Sequence, residues 1–433
     1  MVLFIFCVLS AILLFLNRIY CKRIRFLFSP SSIMVYLWLS LLLCAIVFGN
    51  AAGLYGVHLS VVFSVFFFLV IILLISLVLE KASLYGKSNN SKPLFALTKT
   101  GKKRLFVISI VFFAAFCFST FFYFYCLKRY GITLFNVFSN YREWKTLILS
   151  GDFNESQILF LGRNIDAFGT IFSINFIMSP KKSHKRKISL LILIIYIALV
   201  LIYPRRDVFI AKLIYVGVPF LLICKFRIKK IIVPLGLTSI LLLYLFSFIS
   251  KSLSWGDFNF LRSLSSYTFG SFNSLQKAID FGYEKNTDLL MGNTFYFVYM
   301  ILKYINPSLK PPDIVLQFYS GDDSVNVYTS LIAPFIDSQG NILLFYLFIF
   351  AYAFYIGVII SLFFNIYRRL TNIISIIMLS TIYACVLRSF YNPVFSYADV
   401  LTSLIICFFL SLAFQETIFT TRLSKKYKKG IAR

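Results

Sequence analysis

The chain has 433 residues, of which 60% are apolar and only 14% are charged, and its formal net charge is +27. This composition excludes an ordinary soluble globular domain, in which about a quarter of the residues are charged. Apolar runs close to 20 residues long recur along the chain and the alternating pattern of an outer-membrane barrel is missing, so the sequence predicts an all-α polytopic membrane protein.

About eleven apolar segments are predicted to cross the membrane. They cover residues 2–16, 32–48, 59–79, 105–127, 157–178, 188–202, 208–224, 231–249, 342–364, 372–387 and 395–414. Positive charge follows the first segment instead of preceding it, which is the reverse of a cleaved signal peptide. The sequence therefore predicts a retained first helix with its N-terminus outside and a basic C-terminal tail inside.

The basic residues are distributed unevenly along this predicted topology. The proposed cytoplasmic segments hold 28 of the 43 Lys and Arg residues but only two acidic residues, Glu80 and Glu416. This asymmetry follows the positive-inside rule, so the surplus charge reports topology and predicts no nucleic-acid partner. The two histidines, His58 and His184, are too few for a zinc site, and no metal or cofactor is predicted.

Residues 251–340 form the only long polar interval between the apolar segments, and they hold eight of the sixteen acidic residues. Within this interval, the apolar run 294–305 is too short to span a bilayer, which favours a position at the membrane interface. We expect a large external loop of short helices that carries the functional face. The predicted organisation is one integrated domain, with helices 1–8 in 1–250, the loop in 251–340, helices 9–11 in 341–415 and the tail in 416–433.

Arginine side chains occur at or near the predicted outer face, where basic residues are normally avoided. They are Arg142, Arg163, Arg205, Arg206 and Arg262. One interpretation is snorkelling or pairing with neighbouring acidic residues such as Asp207. The other is a cationic clamp for phosphate, because the planar guanidinium makes bidentate contacts. Arg163 falls within a predicted span, where a charge usually faces a cavity or pathway. The pair Asp322-Asp323 is interpreted as part of a turn rather than as a metal site.

Three segments of the loop carry a family resemblance. They are Tyr267-Thr-Phe-Gly270-Ser, Gly292-Asn-Thr-Phe295, and Asn326-Val-Tyr-Thr-Ser followed by Pro334-Phe-Ile-Asp337-Ser-Gln-Gly340. In order and spacing these segments resemble the signature of bacterial O-antigen polymerases (Wzy-type oligosaccharide repeat-unit polymerases). Tyr203-Pro-Arg-Arg206-Asp also resembles a helix start that these polymerases share with O-antigen ligases. The back half of the chain is similar to the family in motifs, and the front half mainly in hydropathy.

The resemblance implies a GT-C-like polymerase/ligase architecture and an enzyme of the periplasmic face of the bacterial inner membrane. The implied reaction is a metal-independent, inverting glycosyl transfer between repeat units linked to undecaprenyl pyrophosphate. The implied partners are this lipid-linked oligosaccharide, the bilayer, and the chain-length regulator and flippase of the same pathway.

The resemblance also assigns roles to individual residues. Arg206 and Arg262 inherit the role of binding the pyrophosphate, and Arg142, Arg163 and Arg205 are further candidates for substrate binding. Asn326, Tyr328 and Asp337 are the remaining predicted catalytic residues, and Tyr267 is predicted to contact the substrate. One departure concerns the acceptor, because ligase-like members carry His-Asn where this chain has Val325-Asn326. The histidine that would activate the acceptor hydroxyl is therefore missing at that position.

Three other functions are compatible with many helices and outer-face arginines. An O-antigen ligase shares the architecture but is weakened by the missing histidine. A lipid-linked oligosaccharide flippase would not need an outer loop of about 90 residues. A dolichol-phosphate-sugar type transferase usually bears acidic residues in its first outer loop, and residues 49–58 contain none. The sugar, the linkage and the choice between Arg205 and Arg206 stay open.

Overall fold

The computed structural model describes residues 1–24, 26–80, 95–97, 99–129, 131, 166–180, 182–202, 206–223, 265–266, 268–282, 290–309, 318–319, 324–325, 329–370, 372–390, 394–396, 398–413 and 419–421. The α-helices in these ranges are α1 (Val2–Ile24), α2 (Pro30–Phe48), α3 (Leu59–Leu79), α4 (Lys99–Arg129), α5 (Asp166–Met178), α6 (His184–Ile202), α7 (Arg206–Ile223), α8 (Gly270–Phe281), α9 (Tyr296–Ile305), α10 (Ile332–Asp337), α11 (Ile342–Leu370), α12 (Ile373–Arg388) and α13 (Ala398–Ala413). Two short antiparallel pairs join β1 (Phe95–Leu97) to β4 (Phe419–Thr421) and β2 (Phe318–Tyr319) to β3 (Ser324–Val325).

Five of these helices are long and apolar enough to cross a membrane. The spans are Val2–Ile24, Pro30–Phe48, Leu59–Leu79, Gly101–Tyr125 and Ile342–Arg368. A helix of about 20 residues covers the roughly 30 Å of a bilayer core. Large apolar side chains also face outward from α1 and α4, among them Phe4, Phe15 and Phe121. The prediction of a helical membrane protein is thereby confirmed.

The shorter apolar helices leave the number of spans undecided. Ala167–Met178, Ala211–Ile223, Ile373–Arg388 and Val400–Ser411 have 10–17 residues each, and the predicted span 231–249 lies outside the described residues. Eleven spans therefore stay a prediction.

Charged residues extend several helices beyond their predicted ends. The first helix was expected to end at residue 16 but continues to Ile24, with Lys22 and Arg23 in its last turn. Similarly, α11 includes Arg368, which was expected in a turn. Both corrections have one physical reason: cations near a helix C-terminus interact favourably with its dipole, and their long side chains reach the interface while their stems stay apolar.

The chain divides into two compact units. The first comprises Met1–Ser88, Asn259–Arg369 and Thr381–Leu410. Its centre is Trp38 on α2, which is fully buried and lies 5.0 Å from the ring of Phe68 and 5.7 Å from that of Phe272. Helix α11 approaches α3 closely at Gly357, where an added Cβ would lie 3.0 Å from Cβ of Ile75. Small residues allow such close helix contacts in membranes.

The second unit comprises Asn89–Phe258, Leu370–Ser380 and Ser411–Arg433. Within it, α5 packs against α4, α6 and α7. Phe168 of α5 stacks on Phe116 at 4.4 Å, and the hydroxyl of Thr170 donates to the carbonyl of Tyr215 at 2.9 Å. An added Cβ at Gly169 would lie 3.0 Å from Cγ2 of Val216. This unit is thus a tightly packed helix group that uses small residues and buried aromatic rings.

Candidate functional site

The described parts of the predicted loop pack at one end of α2 and α3. Helix α8 contacts both helices, and Gln276 is its main polar anchor. The side-chain oxygen of Gln276 accepts hydrogen bonds from the backbone N–H of His58 and from the hydroxyl of Ser60, both at 3.0 Å. Because α3 begins at Leu59 and has 21 residues, its other end lies about 30 Å away.

The buried face of α8 matches the surface formed by the end of α2 and the turn before α3. The side-chain amide of Asn273 donates to the backbone carbonyl of Tyr55. A Cβ at Gly49 would lie 2.7 Å from that amide nitrogen, so this close approach requires glycine. Phe272 and Leu275 are fully buried, so this face of α8 is a packing surface. Helix α8 is therefore held by both apolar and polar contacts.

Asp337 is the centre of the second part of the site. Its side chain is only 3% exposed. One carboxylate oxygen accepts from the backbone N–H of Asn293 at 3.2 Å and from its side-chain amide at 2.9 Å. The other accepts from the backbone N–H of Thr294 at 2.8 Å and from its hydroxyl at 2.7 Å. Four donors occupy the acceptor capacity of an ionised carboxylate.

Both segments joined by this carboxylate are tight turns. Met291 (φ 56°) precedes Asn293, and Gln339 (φ 53°) with Gly340 (φ 78°) follows Asp337. A non-glycine residue in the left-handed region costs about 1–3 kcal/mol and persists only when its surroundings hold it there. The hydrogen bonds of Asp337 supply that constraint. The geometry thus gives Asp337 a positioning role, and the catalytic role predicted for it stays a prediction.

A further polar contact fixes the segment before α10. Ser330 donates from both its backbone N–H and its hydroxyl to the carbonyl of Ser389, at 3.0 and 2.6 Å. The hydroxyl of Ser389 accepts in turn from the indole N–H of Trp38 at 2.9 Å. Trp38 therefore links the loop to the buried centre of the first unit.

An exposed cluster of ionisable groups lies beside α8, and the sequence did not reveal it. Nδ1 of His58 is 3.9 Å from Oδ2 of Asp280. Tyr55 donates its hydroxyl to the same oxygen at 2.8 Å, and Gln276 donates to Oδ1 at 2.9 Å. The hydrogen bond to Asp280 raises the pKa of Tyr55. His58 and Asp280 are 222 positions apart, so no local pattern could have paired them.

Most of the predicted site residues lie outside the described residues. Arg206 is the first residue of α7, and its side chain is not among those described. The others outside are Arg142, Arg163, Arg205, Arg262, Tyr267, Asn326 and Tyr328. Asp337 is thus the one predicted site residue whose side-chain contacts the structure describes. Among the described residues, no group of three or more His, Cys, Asp or Glu side chains is arranged to hold a metal ion.

Comparison with known proteins identifies no relative. No protein-family model matches the chain, and neither a curated protein nor a solved structure matches it.

Proposed function

We propose that this chain is an O-antigen polymerase, a glycosyltransferase that joins undecaprenyl-pyrophosphate-linked oligosaccharide repeat units at the periplasmic face of the bacterial inner membrane. The observation that supports it best is the junction at Asp337. Two motif segments, 292–295 and 334–340, are held together by four hydrogen bonds to one buried carboxylate. Because these two segments resemble a family signature and are joined by the same carboxylate, they favour a functional role for the whole loop.

In the proposed orientation the loop is periplasmic and eleven helices span the membrane. The described loop elements pack at the start of α3, whereas Glu80 follows its last residue. The basic residues that follow Glu80 in the sequence favour a cytoplasmic position for the end of α3 by the positive-inside rule. The start of α3 and the packed loop then face the periplasm.

The proposed mechanism is an inverting displacement without a metal. An acceptor hydroxyl attacks the anomeric carbon while the bond to the undecaprenyl pyrophosphate breaks. A pyrophosphate is already a good leaving group, so the protein mainly stabilises the charge that develops on it and aligns the acceptor. Arg206 and Arg262 supply the bidentate donors for that charge. Arg142, Arg163 and Arg205 extend the basic surface for the substrate, and Tyr267, Asn326 and Tyr328 align the sugars.

Deletion of the gene tests the proposal directly. We expect lipopolysaccharide that carries a single repeat unit on its core, because ligation continues while polymerisation stops. The measurement is the ladder pattern on a gel, with the wild-type gene on a plasmid as the control. Bare core without any repeat unit would contradict the proposal and favour a ligase or a flippase.

Lysine substitutions in the complementing gene test the arginine clamp. Arg206→Lys and Arg262→Lys should each lower polymerisation by about 10²-fold, because lysine keeps the charge but loses the planar pair of donors. The readout is the polymer ladder at equal membrane levels of the variants. Arg23→Lys is the matched control, since Arg23 is exposed in the last turn of α1 and should be tolerated. Full ladders from both the Arg206→Lys and the Arg262→Lys variants would show that neither arginine is needed at the site.

A further inference from the structure

His58 and Asp280 have the arrangement of a base and the group that orients it. The imidazole of His58 is 61% exposed, and its Nδ1 lies 3.9 Å from Oδ2 of Asp280, which is 29% exposed. This distance exceeds a hydrogen bond, but such pairs are often long before the substrate is bound. An ionised carboxylate only accepts hydrogen bonds, so a hydrogen bond formed by closing this distance would place the proton on Nδ1 and leave the lone pair on Nε2.

Neighbouring contacts hold both members of the pair in place. Tyr55 and Gln276 donate to the two oxygens of Asp280, at 2.8 and 2.9 Å. Gln276 also accepts from the backbone N–H of His58, so the same side chain holds the carboxylate and the histidine backbone. The side of Nε2 is lined by Gly56, at which a Cβ would lie 3.7 Å away. A small residue here leaves room for an incoming group.

The pair lies at the start of α3, which the proposed orientation places on the periplasmic side. It is formed between the turn before α3 and helix α8, at the end of the first unit where the loop packs. Among the described residues, the other node of the loop is the carboxylate of Asp337, which already accepts four hydrogen bonds. The oxygens of that carboxylate are thus occupied by donors from within the loop, whereas the side chain of His58 is 61% exposed.

We propose that His58 is the general base for the acceptor hydroxyl and that Asp280 is its positioning residue, an inference that rests on the proposed polymerase function. The oxygen of an acceptor sugar hydroxyl forms a bond to the anomeric carbon of the donor. The bond from that carbon to the pyrophosphate oxygen breaks, and the lipid pyrophosphate leaves with its electron pair. The hydroxyl proton moves to Nε2 of His58, and Asp280 stabilises the resulting imidazolium.

The alternative role of this cluster is purely structural, as a tie between α8 and the turn before α3. The two roles predict different responses to added imidazole. Loss of a base at this exposed position leaves its place open to free imidazole, which can accept the proton, whereas loss of a tie changes the fold and is not repaired by imidazole. The exposure of the His58 side chain also predicts that its removal leaves the free energy of unfolding nearly unchanged.

The experiment measures polymerisation of lipid-linked repeat units by the purified full-length protein in detergent. His58→Ala should lower kcat by about 10²- to 10⁴-fold with little change in KM for the donor. Imidazole should restore a measurable part of this loss, because it supplies an acid–base group at the vacated position. Asp280→Asn should lower kcat without any response to imidazole, because the side chain of His58 is still present in this variant. His184→Ala is the matched control, since His184 is the other histidine of the chain and is exposed at the start of α6.

Each outcome decides one question. Wild-type kcat in His58→Ala, or an inactive variant that imidazole does not rescue, overturns the base assignment while the polymerase function stands. His58→Gln, which keeps a polar side chain of similar length, must lose activity as well if the imidazole itself is required. A lowered unfolding midpoint in both His58 variants assigns the cluster to the fold instead. A wild-type protein that forms no polymer from these substrates overturns the proposed function itself.

Discussion

Replacing Asp337 by alanine is expected to abolish polymer formation and to lower the free energy of unfolding by about 3 kcal/mol. The physical reason is the four donors of Asn293 and Thr294, which would lose a buried charged acceptor at once. Their loss would also release the left-handed backbone at Met291 and Gln339. The measurement is the unfolding midpoint of the purified protein, followed by tryptophan fluorescence in detergent.

Asp337→Asn distinguishes a positioning role of Asp337 from a direct role in the chemical step. The amide has nearly the shape of the carboxylate, but either orientation of it directs an N–H group at two donors, so we expect most of the stability loss to remain. Thr294→Val removes one of the four donors and should cost only about 1 kcal/mol. An asparagine variant with a normal midpoint and no polymer would contradict the positioning role and return Asp337 to the chemical step.

Glu80→Gln is expected to make the protein more stable above pH 7, although it removes a buried ionisable group. The carboxyl of Glu80 is fully buried and accepts hydrogen bonds from the hydroxyls of Tyr20 at 2.6 Å and Ser361 at 3.3 Å. Burial raises the pKa of Glu80 to about 7, whereas the bonds from Tyr20 and Ser361 and the charge of Arg368 act in the opposite direction. Cys21 and Tyr383 also interact electrostatically with this carboxyl.

The sign of the pH dependence follows from proton binding. Between the ordinary pKa of 4.5 and the folded value of about 7, the folded protein keeps a proton that the unfolded chain has released. Stability from Glu80 is therefore complete below pH 4.5 and is lost as the pH rises through 7. The loss amounts to roughly 3 kcal/mol, from 1.36 kcal/mol for each unit of pKa.

Unfolding midpoints at a series of pH values between 4.5 and 8 test this expectation. The wild-type midpoint should fall across this range, and the Glu80→Gln midpoint should stay level and exceed it at the alkaline end. Tyr20→Phe is the matched variant, because it removes a hydrogen bond that favours the charged form and should move the fall to higher pH. A Glu80→Gln protein with the same pH profile as the wild type would show that Glu80 does not carry this dependence.

The sequence by itself determined those membrane helices whose position depends only on their own residues. The span 59–79 was predicted to the residue, and the predicted start of the helix at 342 is also the observed one. A bilayer imposes both the length and the apolar character of a helix that crosses it, so these properties are written in consecutive residues. Helix ends were less predictable, because basic residues such as Arg23 are compatible with either a last helical turn or a loop.

The motif segments around the candidate site were also visible in the sequence, but their roles were not. Asp337 was selected as catalytic from its place in a motif, and the structure surrounds its carboxylate with donors from residues 43 and 44 positions earlier. Glu80 was counted among the cytoplasmic loop charges, yet three helices bury it. A charged residue in a sequence needs polar partners for its side chain. Only the packing of the folded chain decides whether those partners are water molecules or protein groups.

The pairing of His58 with Asp280 belongs wholly to the tertiary structure. His58 was considered only as a metal ligand, and Asp280 only as one of eight loop acids. Helix α8 brings them together because Gly49 admits Asn273 and because Gln276 bonds to both sides of the contact. Apolar segments are recognised one at a time, since each meets the same lipid. A polar site depends on which segments become neighbours, and that is decided by the packing of the whole unit.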